Sequence, residues 1–211
     1  MKVKLLNLES AKSETIEVSD KVFKHKINHK LIKSVVDWQL NHLKPRTAKT
    51  KQKNEIKGST KKIVPQKGSG GARHASRKAP IFVGGGIAHG PKGAVYKIKK
   101  INKKVRKLAL AHTLSKKNSD NHLFVLSDVK KEIKKTKEFN NFLKKNNLLN
   151  VIIISDLETL KNINKSARNI KNLKIIIDAG ANIYDMMKYK NVLLTKSSVK
   201  TLEKRILNEK N

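Results

Sequence analysis

Residues 66–93 read QKGSGGARHASRKAPIFVGGGIAHGPKG, and the groups there that could do chemistry are cations set among glycines. The stretch holds eight of the chain's ten glycines and few apolar residues to anchor a core. Lys and Arg neutralise phosphates, and glycine lets a backbone approach where a side chain would clash. Gly84, Gly85 and Gly86 in a row mark the closest expected approach to such a partner. The larger groups here and just beyond, Ile81, Phe82, Val83 and Tyr96, suit either insertion against unstacked bases or local packing. A solvated linker would carry mixed charge or Gly/Ser monotony, and this stretch has neither.

Other patterns point to chemistry less well. A dinucleotide site needs G-x-G-x-x-G between a strand and its helix. GSGGAR, at 68–73, lacks the third glycine, follows no apolar strand and opens no helix. GPKG, at 90–93, has neither the spacing of a P-loop nor its hydroxyl residue after Lys. HKINH sets His25 and His29 one turn apart if helical, but no nearby carboxylate or third His completes a metal site, so both read as surface residues. Asp156, Asp178 and Asp185 fall where helix caps and turn carboxylates are needed, without a His or nucleophile beside them. Trp38 and Tyr184 read as core or rim packing. With no cysteine, thiolate nucleophiles, disulfides and Cys-based zinc sites are excluded. No catalytic residue, cofactor or metal is expected.

The net charge of +33, from 49 Lys and Arg against 16 Asp and Glu, needs an anionic partner to relieve its self-repulsion. Nucleic acid is the first candidate and membrane the second. The longest aliphatic run, VIII at 151–154, falls far short of the roughly 20 residues of a spanning helix. MKVKLLNLES has no apolar core of the signal-peptide kind and already carries Glu9, so neither a membrane partner nor Sec-type export is expected.

The charge is unevenly placed. Residues 44–104 carry 18 cations against one acid, Glu55, so +17 of the total lies in 61 of 211 residues. All four prolines (45, 65, 80, 91) and nine of ten glycines lie there too. For about 55 residues after position 44 no helical or strand period survives, which in a compact domain marks a loop with a function. Going out and back, such a loop reaches up to roughly 90 Å if fully extended, enough to run deep into a large folded RNA.

Folded sequence must hold this loop from both sides. KVKLLNLE and TIEV read as short strands. Leu31, Ile32, Val35, Val36, Leu40 and Leu43 recur at helical steps, with Asn28 as cap and Pro45 as stop. Beyond the loop, Val105, Leu108, Leu110, Ala111 and Leu114 mark a second helix with a basic first turn. LFVL, a helix holding Ile133, Phe139, Phe142 and Leu143, VIIIS, DLETLKNINKSARNI, KIIID, a short helix near 182–187, NVLLT and SSVKTLEKRIL then alternate. Aliphatic strands separated by helices predict an α/β fold with a Rossmann-like, mostly parallel sheet flanked by helices. The long basic loop is inserted after the first major helix. The expected division is a globular domain of residues 1–43 and 101–211 and a loop of 44–100.

QKGSGGAR with SRKAPIFVGGGIAHGPKG, followed by NKKVRKLALAHTLS, resembles the bacterial-type family of large-subunit ribosomal protein number four. KIIIDAGANIYDMMKYKNVLLTKSSVKTLEKRI looks like that family's closing strand, helix, strand and helix. The resemblance implies a structural, non-enzymatic constituent of the large ribosomal subunit that supports its assembly. It implies a globular domain on the subunit's outer surface and a loop penetrating the large-subunit ribosomal RNA. Gln66, Lys67, Gly68, Ser69, Gly70, Gly71 and Arg73 match the tip that reaches the wall of the nascent-peptide exit tunnel. The chain departs from the family pattern at Val64 and Pro65, where an aromatic and a basic residue are expected, at Gly71 and Val83, where Arg is common, and at His89, where Phe is usual. Each departure removes or changes a stacking or phosphate contact.

On this reading the RNA-binding residues are Lys44, Arg46, Lys61, Lys62, Lys67, Arg73, Arg77 and Lys78, then Gly84, Gly85, Gly86, Lys92, Lys97, Lys103, Lys104 and Arg106. The implied partners are large-subunit ribosomal RNA, neighbouring large-subunit ribosomal proteins and the nascent peptide. The expected location is the bacterial cytoplasm or an organelle-encoded ribosome. The rivals are an RNA chaperone and an RNA-acting α/β enzyme using the loop as a clamp. Free of RNA the loop is expected to be disordered, because its apolar content cannot offset roughly 1–2 kcal/mol per residue of backbone ordering.

Overall fold

An aliphatic run buried along its whole length needs cover on both faces, and VIIIS at 151–155 is buried at every position. The structure, a computed structural model, describes residues 1–8, 14–44, 46–93, 100–129, 132–133 and 135–207. In chain order its elements are β1 (Lys2–Leu6), β2 (Glu14–Glu17), α1 (Asp20–Phe23), α2 (His29–Leu43) and α3 (Lys103–Ser119). There follow β3 (Leu123–Leu126), α4 (Thr136–Lys145), β4 (Val151–Ser155), α5 (Leu157–Ala167), β5 (Leu173–Ile177), α6 (Ile183–Lys188), β6 (Asn191–Thr195) and α7 (Lys196–Leu207).

The six strands form one sheet in the order β2-β1-β3-β6-β4-β5. Only the β1–β2 pair is antiparallel. This is the α/β, mostly parallel sheet that the alternation of elements predicts.

The pleat sorts the strand side chains into two cores. Ile152, Ile154, Val192 and Leu194 share one with Ile32 and Val35 of α2, Leu110 and Leu114 of α3, Met186 of α6 and Leu202 of α7. Val151, Ile153 and Leu193 share the other with Phe139 and Leu143 of α4 and Ile163 and Ala167 of α5. Each fully buried Ile or Leu contributes about 1.5–3 kcal/mol relative to exposure.

Helix starts follow their caps. Asn28 Oδ1 accepts the Leu31 amide at 3.2 Å, and Asn182 Oδ1 accepts the Asp185 amide at 2.8 Å. Pro45, the expected stop of α2, lies outside the described residues; α2 itself ends at Leu43.

Two local expectations are corrected. Ile133 lies ahead of α4, because its amide bonds the carbonyl of Asn162 in α5 at 3.0 Å rather than a preceding turn. His25 and His29 do not share a helical turn, since α2 begins at His29. His25 Nε2 meets the Lys21 carbonyl at 2.6 Å, and its ring stands edge-on to His112 at 5.3 Å.

The chain divides into two compact units, Met1–Leu40 with Lys100–Asn211, and Asn41–Lys99. The sheet and both cores belong to the first.

Candidate nucleic-acid interface

In the second unit an outgoing and a returning arm are joined by backbone hydrogen bonds. Lys49 and Lys92 form an antiparallel bridge, the Thr50 amide donates to the Pro91 carbonyl at 3.0 Å, and the Ile87 amide to the Lys51 carbonyl at 3.0 Å. Farther out the Ile63 amide reaches the Ala75 carbonyl at 3.2 Å. Glu55, the segment's one acid, accepts from the Gln52 amide at 3.2 Å and pairs with Lys49 at 2.8 Å. These hydrogen bonds, Lys49's the larger, hold its carboxyl below the usual range. The acid is thus used inside the scaffold.

The returning arm winds into successive turns. The Ala79 amide bonds the Ser76 carbonyl, Phe82 bonds Ala79, Gly85 bonds Phe82, and Gly86 bonds Lys78, at 2.9–3.1 Å. The Phe82 ring packs edge-on against His74 at 5.0 Å, so of the two roles open to it the structure shows local packing. Ile81 and Val83 on either side are exposed.

The glycine run has an internal reason to be glycine. A Cβ on Gly85 would overlap the Ala79 carbonyl oxygen, and one on Gly86 would overlap the Lys53 amide nitrogen. Gly84 faces open space but has φ +78°, a conformation that favours glycine.

The tip is the part the scaffold leaves out. Every residue from 66 to 73 is exposed. Gly68 and Gly70 have φ of 85° and 63°, and Lys62 Nζ donates to Gln66 Oε1 at 2.6 Å. Lys67 and Arg73 therefore stand on an irregular stretch of mostly small residues with no carboxylate among them.

Of the other predicted RNA-binding residues, Lys44, Arg46, Lys61, Lys62, Arg77 and Lys92 are exposed and Lys78 is half-buried. Lys97 and Tyr96 lie outside the described residues. Lys103, Lys104 and Arg106 sit in the first turn of α3, in the first unit.

The sequence reading missed a feature of that first unit. The Arg106 guanidinium lies over the Trp38 ring, 5.2 Å from its centroid. Beside this pair opens a pocket of about 390 Å³ whose rim carries Lys103, Lys107 and Arg205 and whose floor is Val35, Leu110 and Ile183. Arg205 Nη1 is pinned by the carbonyls of Asp178 and Ala179 at 3.0 and 3.1 Å. No local signal announces the pocket, because Trp38, Arg106 and Arg205 are far apart in sequence.

The carboxylates at the strand ends and in α6 serve the fold. Asp156 caps α5 through the Thr159 amide at 3.4 Å and accepts from Ser197 Oγ at 3.0 Å. Burial raises its pKa, but hydrogen bonds from Thr159 and Ser197 outweigh this and hold it below the usual range. Asp178 accepts the Ala179 amide at 2.7 Å, and Asp185 pairs with Lys174 at 2.6 Å. Among the described residues no cluster of three or more His, Asp or Glu could hold a metal, and no helix is long and apolar enough to cross a membrane.

Comparison with known proteins converges on one family. Residues 16–205 match the model of the ribosomal protein L4/L1 family. The chain is 51% identical to the large ribosomal subunit protein uL4 of Pelagibacter ubique over 206 residues, 97% of this chain and 99% of that one. It is 37% identical to the protein of the same name from Hyphomonas neptunium, covering 97% and 96% of the two chains. With that of Thermotoga petrophila the identity is 39%, covering 98% and 96%. With a family match over most of its length and relatives of its own size, the chain belongs to the ribosomal protein L4/L1 family.

Proposed function

We propose that this chain is a structural constituent of the large ribosomal subunit that binds large-subunit ribosomal RNA through residues 44–100 and supports subunit assembly. The family is structural and non-enzymatic, so the basic segment has no reaction to clamp a substrate for. One observation carries the reading: the fully exposed tip of residues 66–73, with Lys67 and Arg73, ends a segment whose single acid is engaged within its own scaffold. Cations free of carboxylates, on backbone that glycine allows to approach closely, suit a path between phosphates.

The proposed RNA contacts are Lys44, Arg46, Lys61, Lys62, Lys67, Arg73, Arg77, Lys78, Lys92 and Lys97 along the arms, and Lys103, Lys104 and Arg106 at the start of α3. Gly84, Gly85 and Gly86 shape the turn that carries the returning arm. The tip, from Gln66 to Arg73, contributes to the wall of the nascent-peptide exit tunnel, and the globular domain meets neighbouring ribosomal proteins. The setting is a bacterial-type ribosome in the cytoplasm or an organelle.

The test is co-sedimentation of tagged protein with ribosomal particles in a high-salt sucrose gradient, beside a variant lacking residues 66–93. One-to-one retention of the full chain in the large subunit is expected, with retention weakened in the variant. A full chain that washes into the light fractions overturns the structural role in favour of a transient RNA chaperone.

A further inference from the structure

We propose that the pocket beside Trp38 and Arg106 binds one unstacked RNA nucleotide, giving the first unit a base-holding site separate from the tip. The inference rests on the RNA-binding reading and adds to it a ligand and a place.

Charge selects the class of ligand. Lys103, Arg106, Lys107 and Arg205 all line the pocket, and no carboxylate does. An anion is therefore favoured, and a nucleotide supplies one through its phosphate. Surface lysines alone would say no more than that.

The interior selects the rest of the ligand. The floor is aliphatic, and on one side stands the Trp38–Arg106 pair at 5.2 Å. A guanidinium plane held over an indole is a platform on which an unstacked base can stack. A volume of about 390 Å³ admits a single nucleotide and excludes a duplex. A bare phosphate would leave the apolar floor unused. Arg205 is already fixed by two carbonyls, so its recruitment costs little side-chain freedom.

The chain supplies its own reporter and its own plug. Trp38 is the one tryptophan in 211 residues, so its fluorescence reads this pocket directly. Gly180 lines the same pocket, and a Cβ added there would meet nothing within 4 Å. Its φ lies outside the left-handed range, so Gly180→Leu adds apolar bulk at the pocket's lining without left-handed backbone strain and without altering charge.

The experiment titrates the full-length chain with a fluorescein-labelled single-stranded hexaribonucleotide and with an abasic hexamer of equal charge, following anisotropy and Trp38 emission together. Unlabelled hexamers repeat the emission arm, to remove energy transfer to the dye. The expected result is Trp38 quenching by the base-bearing hexamer at saturation, at least threefold less quenching by the abasic one, and loss of the difference in Gly180→Leu. Circular dichroism of that variant checks its fold, and Arg106→Lys, which keeps charge but loses the planar stack, should reduce the quench in the same way. Strong anisotropy change with equal quenching by both hexamers, or with none, overturns the pocket and leaves the loop reading intact. A peptide rich in Asp and Glu that quenches Trp38 where the RNA does not reassigns the pocket to a protein partner. Absence of any anisotropy change overturns both readings.

Discussion

The backbone nitrogen of Lys53 occupies the space that a Cβ on Gly86 would need, so the outgoing and returning arms of the basic segment touch main chain to main chain. Gly86→Ala must push the arms apart. The hydrogen bonds from Gly86 to Lys78 and from Ile87 to Lys51 then weaken, each worth about 0.5–1.5 kcal/mol. Tryptic cleavage after half-buried Lys78 should accelerate several-fold in this variant and stay unchanged in Gly71→Ala, where a Cβ meets nothing closer than 4.0 Å. Equal rates in the two variants would show that the arms do not need this contact.

In the free protein the tip should be the first place cut. The exposed residues 66–73 offer Lys67 and Arg73 to trypsin, whereas the first unit holds its chain in two cores. Early fragments are expected to end within residues 44–100, and ribosomal RNA should protect them. Mass spectrometry of a limited digest reads this, and protection of the tip without RNA would show that it is not the weakest point of the free chain.

If Lys67 and Arg73 each neutralise one phosphate, replacing both with Ala should flatten the log–log salt dependence of RNA binding. The expected change in slope is about 0.7–0.9 per lost contact. Binding titrations between 50 and 200 mM salt check it.

Asp156→Ala removes the α5 cap and one of the two carboxylates that accept from Ser197 Oγ, Asp128 remaining. A loss of about 1–2 kcal/mol in urea unfolding is expected. Because this carboxyl is held below its ordinary value when folded, its contribution is present above the unfolded pKa and fades as pH falls through the folded one. The gap between wild type and variant should therefore close toward acid, and a gap constant with pH would show that the carboxylate's ionisation contributes nothing to the fold.

His112 likewise favours its deprotonated form when folded, but there that form is the neutral one. Burial first, and the nearby His25 second, lower its pKa, while a hydrogen bond involving the Lys26 backbone opposes them. The unfolded chain binds the proton more readily, so stability should rise with pH from the lowered native value up to about 6.5 and level off above it. His112→Gln should flatten that rise in denaturation midpoints taken between pH 5 and 8.

The sheet was legible because VIIIS, LFVL and NVLLT are too short and too uniformly aliphatic for surface helices, and each is buried nearly throughout. The cap at Asn28 was legible because N-cap chemistry is local. Ile133 misled because its spacing fits a helix while its amide finds a partner in α5, a long-range choice. The cations of the basic segment could be read from composition, yet the triple glycine could not. Lys53 and Ala79, which explain Gly86 and Gly85, meet them only through the turns of the folded segment. Trp38 and Arg106 were each read singly, and their cation–π contact depends on α2 and α3 meeting across the whole insertion.

Residues of α2 and α3 enter the same core, with the entire basic segment between them in sequence. The entropy of closing such an excursion grows only with the logarithm of its length, about 0.6 kcal/mol for each doubling. Reach and foldability are thus decoupled: natural variants can lengthen or trim the segment at almost no thermodynamic cost to the sheet. On the proposed reading, the RNA path it follows, and not the domain that carries it, is what limits its length.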